Sequence, residues 1–279
     1  MTMPDSPFAA VTVREALDSA LVALRGSGVD TPQLDAELLL AHVLGIDRTA
    51  LFLEPDAPVT GPPVRAFREV VRDRTVRRLP VAYITGVKGF RHLDLHVDPR
   101  VLIPRPETEH LVEAALTLPQ GARVVDVGTG SGAVALALKS ERPDLEVHAT
   151  DLSEDALHVA YANAQRLGLH VTFHHGELLA GLGLVDAVVS NPPYIPLGTT
   201  LAPEIMRHEP TVALYGGTDG LEVIERLIPA AAAKAGARWI ALEVGAGQAE
   251  AVQELAPKRW QTDTRPDLAG IDRIVLFWR

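Results

Sequence analysis

The sequence predicts an α/β protein: a mostly parallel sheet covered by helices on both faces, ending in an antiparallel hairpin and preceded by a small helical domain. Three observations point there. Beyond residue 121 short apolar runs alternate with longer helical ones, the order that builds a parallel sheet. From Trp260 two strand-like runs follow each other around "DLAG", which suits a closing hairpin. Residues 11 to about 79 keep a helical spacing of apolar positions.

The amino-terminal helices come first. "VREALDSALVAL" sets Val13, Leu17, Ala20, Leu21 and Leu24 on one face. "TPQLDAELLLAHVLG" offers Thr31 as a candidate N-cap, Pro32 at the first helical position and Gly45 as a stop. After the breaker "DAPVTGPP", "VRAFREVVRDRTVRRL" places Val64, Phe67, Val70 and Val71 on an apolar side. Arg65, Arg68 and Arg72 fall on the other, as on a solvated helix face. From Pro80 to Ile103 the period shortens. "VAYITGVKGF" and "LDLHVDPRVLI" alternate, carry β-branched residues and are punctuated by Gly86 and Gly89, so a hairpin or short linking strands are expected. "IPRPETEHLVEAAL" then opens a helix.

Strands are expected at "ARVVDV", "LEVHAT", "HVTFHH", "VDAVVS" and "ARWIALEV". Helices alternate with them at "GAVALALKSE", "SEDALHVAYANAQRLG", "LEVIERLIPAAA" and "QAEAVQELA", and "WQTDTRP" with "IDRIVLFW" forms the hairpin. The predicted organisation is a helical domain over 1–79, a β-hairpin linker over 80–103 and an α/β domain over 104–279.

Composition narrows the chemistry. The chain has no cysteine, which excludes disulfides, thiolate metal sites and cysteine nucleophiles. The opening "MTMPDSPFAA" lacks the basic-then-apolar pattern of a signal peptide, and no apolar run approaches the roughly 18 residues of a membrane span. A cytoplasmic protein is expected. The net charge is −10, of which residues 1–103 contribute −1 and residues 104–279 contribute −9. A field of that sign repels phosphate backbones and counts against free nucleic acid as substrate.

Two motifs carry chemistry. "VVDVGTGSGAVALAL" is a strand, a glycine turn and a helix, in which Gly128, Gly130 and Gly132 permit a tight turn and close approach of a ligand to the next helix's N-terminus. The same spacing satisfies the dinucleotide fingerprint. Asp151 ends the following strand, where a carboxylate can accept both hydroxyls of a ribose or simply start the helix "SEDAL". Together they indicate a nucleoside whose identity stays open. The second motif is "SNPPYIP". Its two prolines cannot sit in a helix or a central strand, so it lies at the carboxyl end of "VDAVVS". Asn191 offers a side-chain carbonyl and Pro192 a backbone carbonyl in a fixed direction, two acceptors that suit a planar –NH2 group. The Tyr194 ring can pack against a flat, delocalised group. In an open α/β sheet both motifs would face one crevice at the strand ends. The paired His174 and His175 lack the spacing of a metal site, and no metal is expected.

"DVGTGSG", "TD" at 150–151 and "NPPY" resemble the class I methyltransferases, which use S-adenosylmethionine and have a Rossmann-like sheet. "PVAYITGVKGF", "IPRPETEHLVE" and "NPPYIP" are similar to the release-factor glutamine methyltransferases (the HemK/PrmC family), from about Pro80 to the end. "NPPY" alone is shared with DNA adenine and ribosomal RNA methyltransferases; "IPRPETE" is more specific. A sister family that modifies a ribosomal protein typically has Ser-Pro after the arginine, where this chain has "RPETE". The resemblance implies S-adenosylmethionine as cofactor, held by Gly128, Thr129, Gly130, Ser131, Gly132 and Asp151 with Asn191 alongside. It implies Asn191, Pro192, Pro193 and Tyr194 as the glutamine-binding motif, with Asn191, Pro192 and Tyr194 nearest the chemistry. Relatives commonly carry an acid and a large residue near the adenine; here "HGELL" has Gly176 and Glu177, and Glu177 is the candidate substitute. The implied substrate is the glutamine of the Gly-Gly-Gln motif in bacterial class I peptide chain release factors. Alternatives are a ribosomal protein glutamine or a nucleic-acid base amino group flipped into the same pocket. The glycine loop would also permit a nicotinamide dehydrogenase, which leaves "NPPY" unexplained.

Overall fold

The computed structural model describes residues 11–234 and 236–279; the opening decapeptide, read above for a signal, lies outside them. Among the described residues no helix is long and apolar enough to cross a membrane. The chain divides into two compact units, one running to Gly86 and including Ala202–His208, the other comprising Val87–Leu201 and Glu209–Arg279.

The first unit is helical. A two-residue strand β1 (Val11–Thr12) leads into α1 (Val13–Gly26), where Thr12 and Glu15 form a reciprocal capping box. Then come α2 (Pro32–Leu44), α3 (Arg48–Leu53), a two-residue strand β2 (Pro58–Val59) paired with β1, and α4 (Pro62–Thr75). Pro32 opens α2 and Gly45, at φ 66°, closes it as its left-handed cap. Thr31 makes no N-cap bond, because its hydroxyl donates to Asp35 Oδ1 at 2.8 Å. Val13, Ala20, Leu24, Val64, Phe67 and Val71 fill one core, with Leu17 and Val70 packed at its margin. Arg65, Arg68 and Arg72 are exposed, whereas Arg74 is buried and binds Asp35 Oδ2 at 2.7 Å.

The stretch "VAYIT" corrects the strand expectation. Val81–Thr85 is a short helix, α5: Pro80 starts it, the N–H groups of Tyr83 and Ile84 reach the Pro80 carbonyl at 3.0 and 3.1 Å, and Gly86 ends it at φ 74°. Alternating β-branched residues over five positions lose to those two brackets. Only β3 (Val87–Phe90) and β4 (Leu93–His96) form the hairpin, which belongs to the second unit. Beyond it Asp98 turns the chain, its Oδ1 accepting from the Arg100 N–H at 3.0 Å and its carbonyl from the Val101 N–H at 3.1 Å, so "DPRVLI" is not a strand.

The second unit continues with α6 (Glu109–Ala115), β5 (Arg123–Val127), α7 (Ala133–Glu141), β6 (Glu146–Asp151), α8 (Glu154–Leu167), β7 (Thr172–His175) and β8 (Ala187–Ser190). The short helix α9 (Pro203–His208) lies in the first unit, where Arg74 and Arg78 hold Glu204 at 3.2 and 2.7 Å. The second unit closes with α10 (Glu222–Ala232), β9 (Trp239–Glu243), α11 (Ala249–Glu254), β10 (Gln261–Pro266) and β11 (Asp272–Trp278). Its seven-stranded sheet runs β10-β11-β9-β8-β5-β6-β7, parallel except where β11 pairs antiparallel with β9 and β10. Apolar residues on both faces of β5, β8 and β9 explain their unbroken hydrophobic runs: Val124 and Val189 face one core, Val125 and Val188 the other.

Candidate active site

Strand order reverses at β5. The chain moves outward from β5 to β6 and β7, then returns to place β8 on the other side of β5, which opens a crevice at the carboxyl ends. Register brings the motifs together there. Val127 pairs with both Thr150 and Ser190, so Gly128, Asp151 and Asn191 leave three neighbouring strand ends side by side. The Ser190 hydroxyl donates to the Val127 carbonyl at 2.7 Å and ties the β5 and β8 ends. An open crevice lies over them, walled by Gly128, Gly130, Asp151, Asn191, Pro192 and Pro193 among others.

The glycine loop is shaped from below. Gly128 and Gly130 sit at φ 73° and 56°, where glycine carries no Cβ penalty. The buried Asp126 Oδ2 accepts from the Thr129 hydroxyl at 2.6 Å and the Ala135 N–H at 3.2 Å, joining loop to α7. Burial pushes the Asp126 carboxyl up to about 7 against those two bonds. Thr129 and Ser131 are buried, and Gly132 caps α7. Fully buried Asn163 spans three backbone groups: its Nδ2 donates to the His96 and Ser131 carbonyls at 2.9 and 3.0 Å, and its Oδ1 accepts from the His96 N–H at 2.8 Å.

Asp151 faces the crevice and also braces the loop. Its Oδ2 accepts from the Gly130 N–H at 2.8 Å and its Oδ1 from the Ser153 N–H at 2.9 Å. Burial raises its pKa, and those backbone bonds oppose the rise. Asp151 thus starts the helix and braces the glycine loop, and it also lines the crevice. Gly176 and Glu177 also line the crevice; Glu177 is exposed and ion-paired with Arg226. His174 stacks on His148 with ring centroids 5.2 Å apart, and His175 Nε2 lies 3.0 Å from the Leu152 carbonyl.

The "NPPY" turn is braced from several sides. Asn191 Nδ2 donates to the Thr108 hydroxyl at 3.0 Å. Gln248 Nε2 donates to the Tyr194 carbonyl at 3.0 Å, and the Tyr194 hydroxyl donates to Glu243 Oε1 at 3.3 Å. Tyr194 is not in the crevice wall: its ring packs against the core that contains Val188 and Leu242, and burial keeps its phenol protonated well above the usual range. A Cβ on Gly216 would strike the Pro193 carbonyl oxygen and one on Gly220 the Tyr194 carbonyl oxygen, so backbone meets backbone there. The "IPRP" segment before Thr108 is anchored by Glu209, which accepts from the Ile103 N–H at 3.2 Å and Arg105 Nη2 at 2.7 Å.

Sequence reasoning missed Asp126, Thr108, Asn163, Glu209, Glu243 and Gln248. For Asp126 and Glu243 a signal existed: a lone acid in the otherwise apolar strands "VVDV" and "IALEV" cannot be left unpaired.

Residues 15–86 match a family model described as the PrmC N-terminal domain, and residues 107–209 one described as the methyltransferase small domain. A release factor glutamine methyltransferase of Deinococcus radiodurans is 44% identical over 94% of this chain and 97% of its own. One of Geobacter sulfurreducens is 40% identical over 95% of each. A crystal structure of a methyltransferase from Pyrococcus furiosus, 20% identical, superposes with a TM-score of 0.53 over 67% of this chain and 88% of that one, a likeness of fold.

Proposed function

The chain belongs to the release factor glutamine methyltransferase family, and we propose that it methylates the side-chain amide of the glutamine in the Gly-Gly-Gln motif of class I peptide chain release factors, in the cytoplasm, with S-adenosylmethionine as donor. The observation that carries this is the meeting of two unlike half-sites in one crevice: Gly128, Gly130 and Asp151 for a nucleoside, Asn191 and Pro192 for a planar amide.

The residues present fit that cofactor. Each Asp151 oxygen gives one lone pair to a backbone N–H and keeps another for a ribose hydroxyl. Val127, Leu152 and Leu178 add apolar wall suited to a base. S-adenosylmethionine supplies an electrophilic sulfonium methyl when bound. The chain's own part is orientation. An amide nitrogen is a weak nucleophile because its lone pair is delocalised into the carbonyl. Asn191 Oδ1 and the Pro192 carbonyl accept its two hydrogens, draw electron density toward nitrogen and hold it in line. Neither group titrates, so the motif aligns and does not abstract a proton; the N–H proton that the methyl group replaces leaves to water after transfer. Residues 1–79, which hold no part of either half-site, serve to recognise the partner protein.

Incubation with methyl-labelled S-adenosylmethionine and, separately, release factor, ribosomal proteins and RNA tests the acceptor class. Label should enter release factor. Label confined to RNA or to a ribosomal protein would replace this function by one of its alternatives.

A further inference from the structure

The motif "RPETE" marks the family resemblance, yet its threonine has been given no task. Thr108 is buried, at 4% exposure, on the short 3₁₀ turn Pro106–Thr108 just before α6. Its hydroxyl accepts from Asn191 Nδ2 at 3.0 Å. Behind it stands Glu243 at the end of β9, 1% exposed, a carboxyl whose charged form the same hydroxyl favours. Glu243 Oε1 accepts from the Tyr194 hydroxyl at 3.3 Å, and Oε2 is buried with no hydrogen-bond partner among the described residues.

We propose that Thr108 and Glu243 are positioning residues that fix which end of the Asn191 amide faces the crevice, a role that rests on Asn191 being the clamp for the acceptor amide. The physical problem is an amide flip. An asparagine side chain turned by half a rotation exchanges its acceptor for a donor with almost no change of shape. A threonine hydroxyl alone does not resolve this, because it can donate or accept. A carboxylate can. Ionised Glu243 is acceptor-only, so it claims the single hydrogen of Thr108 and leaves the hydroxyl only lone pairs for Asn191. The Asn191 –NH2 must then point inward and Oδ1 toward the crevice. A substrate –NH2 meets an acceptor. With the amide reversed, two –NH2 groups would confront each other. The direction of hydrogen bonding thus passes from Glu243 through Thr108 to Asn191 and selects a donor nitrogen.

Protonation of Glu243 would erase that direction, since a neutral carboxyl can donate to Thr108 instead. Burial, with Glu107 adding to it, pushes this carboxyl up to about 7, while Thr108, Tyr194 and Arg273 pull it down. Arg105 also faces Tyr194. Wild-type kcat should therefore fall as pH drops below about 7.

The test uses the full chain with release factor as substrate and four variants, each checked for S-adenosylmethionine affinity and thermal melting. Thr108→Ser keeps the hydroxyl and should keep kcat. Thr108→Val has the same shape without the hydroxyl and should lose at least about 10-fold in kcat, with cofactor affinity unchanged. Glu243→Gln should lose a similar factor and also lose the acid limb of the pH profile. Asn191→Ala calibrates the clamp. If Asn191→Ala is inactive while Thr108→Val and Glu243→Gln turn over like wild type, the relay is wrong and the clamp stands. If Asn191→Ala itself turns over normally, the clamp fails and takes the relay with it.

Discussion

Asp151 spends one lone pair of each carboxylate oxygen on the protein and offers the others to the crevice. Asp151→Ala removes two charge-assisted bonds of about 1.5–3 kcal/mol each, so S-adenosylmethionine affinity should fall by at least about 100-fold. Calorimetry checks this, and unchanged affinity would reduce Asp151 to a brace between loop and helix. Asn191→Ala should do the reverse, removing most methyl transfer while keeping much of the cofactor affinity. Tyr194→Phe should be milder than Tyr194→Ala, because the ring fills a core and the hydroxyl makes one long bond. Equal losses of kcat would give the phenol a chemical role. At this scale the sequence was legible where chemistry forces a residue type. The glycines, Asp151 and the Asn-Pro-Pro turn were found from strand ends and missing N–H groups. Thr108, Glu209 and Asn163 were not, because their partners lie 83, 106 and 67 residues away and leave no local pattern.

Between elements, the site depends on close packing and on one buried acid. Gly216 and Gly220 let the chain run against the carbonyls of Pro193 and Tyr194. Gly216→Ala forces that backbone apart at a cost of about 1–3 kcal/mol. It should lower kcat more than cofactor affinity, read by parallel turnover and calorimetry. Asp126 couples β5, the glycine loop and α7. Its folded pKa, about 7, lies above the usual 3.8, so the folded chain keeps a proton that the unfolded chain releases. Stability should therefore fall as pH rises from about 4 to about 7 and level off above that. Asp126→Asn should flatten this slope, as thermal melts across that range would show; an unchanged slope would mean Asp126 is ionised throughout. Most elements were legible because parallel strands buried on both faces read as apolar runs. Val81–Thr85 misled because its five residues alternate like a strand, while Pro80 and Gly86 impose a turn of helix. The helix Pro203–His208 went unseen: it is short, buries no residue and is held by the Glu204 ion pairs.

Across the whole molecule, the −10 charge sits almost entirely beyond residue 103, and the arginines of α4 stand out against it. Arg68 and Arg72 are exposed one turn apart on that helix. If the helical unit recognises the partner, Arg68→Glu with Arg72→Glu should raise the KM for release factor several-fold and leave S-adenosylmethionine affinity alone. Equal KM values would remove this face from the recognition surface. The change of period read near residue 80 lies six residues before Gly86, where the first compact unit gives way to the second. The membership of residues 202–208 in the helical unit carried no sequence signal, since nothing local tells so short a helix where it will pack. The function turns on one nitrogen atom. Peptide mass spectrometry of release factor treated with this enzyme and S-adenosylmethionine should find a single methyl group on the side-chain amide of the Gly-Gly-Gln glutamine, and none once that glutamine is changed to alanine. A methyl group on any other residue, or an unmodified release factor beside a methylated nucleic acid, would contradict it.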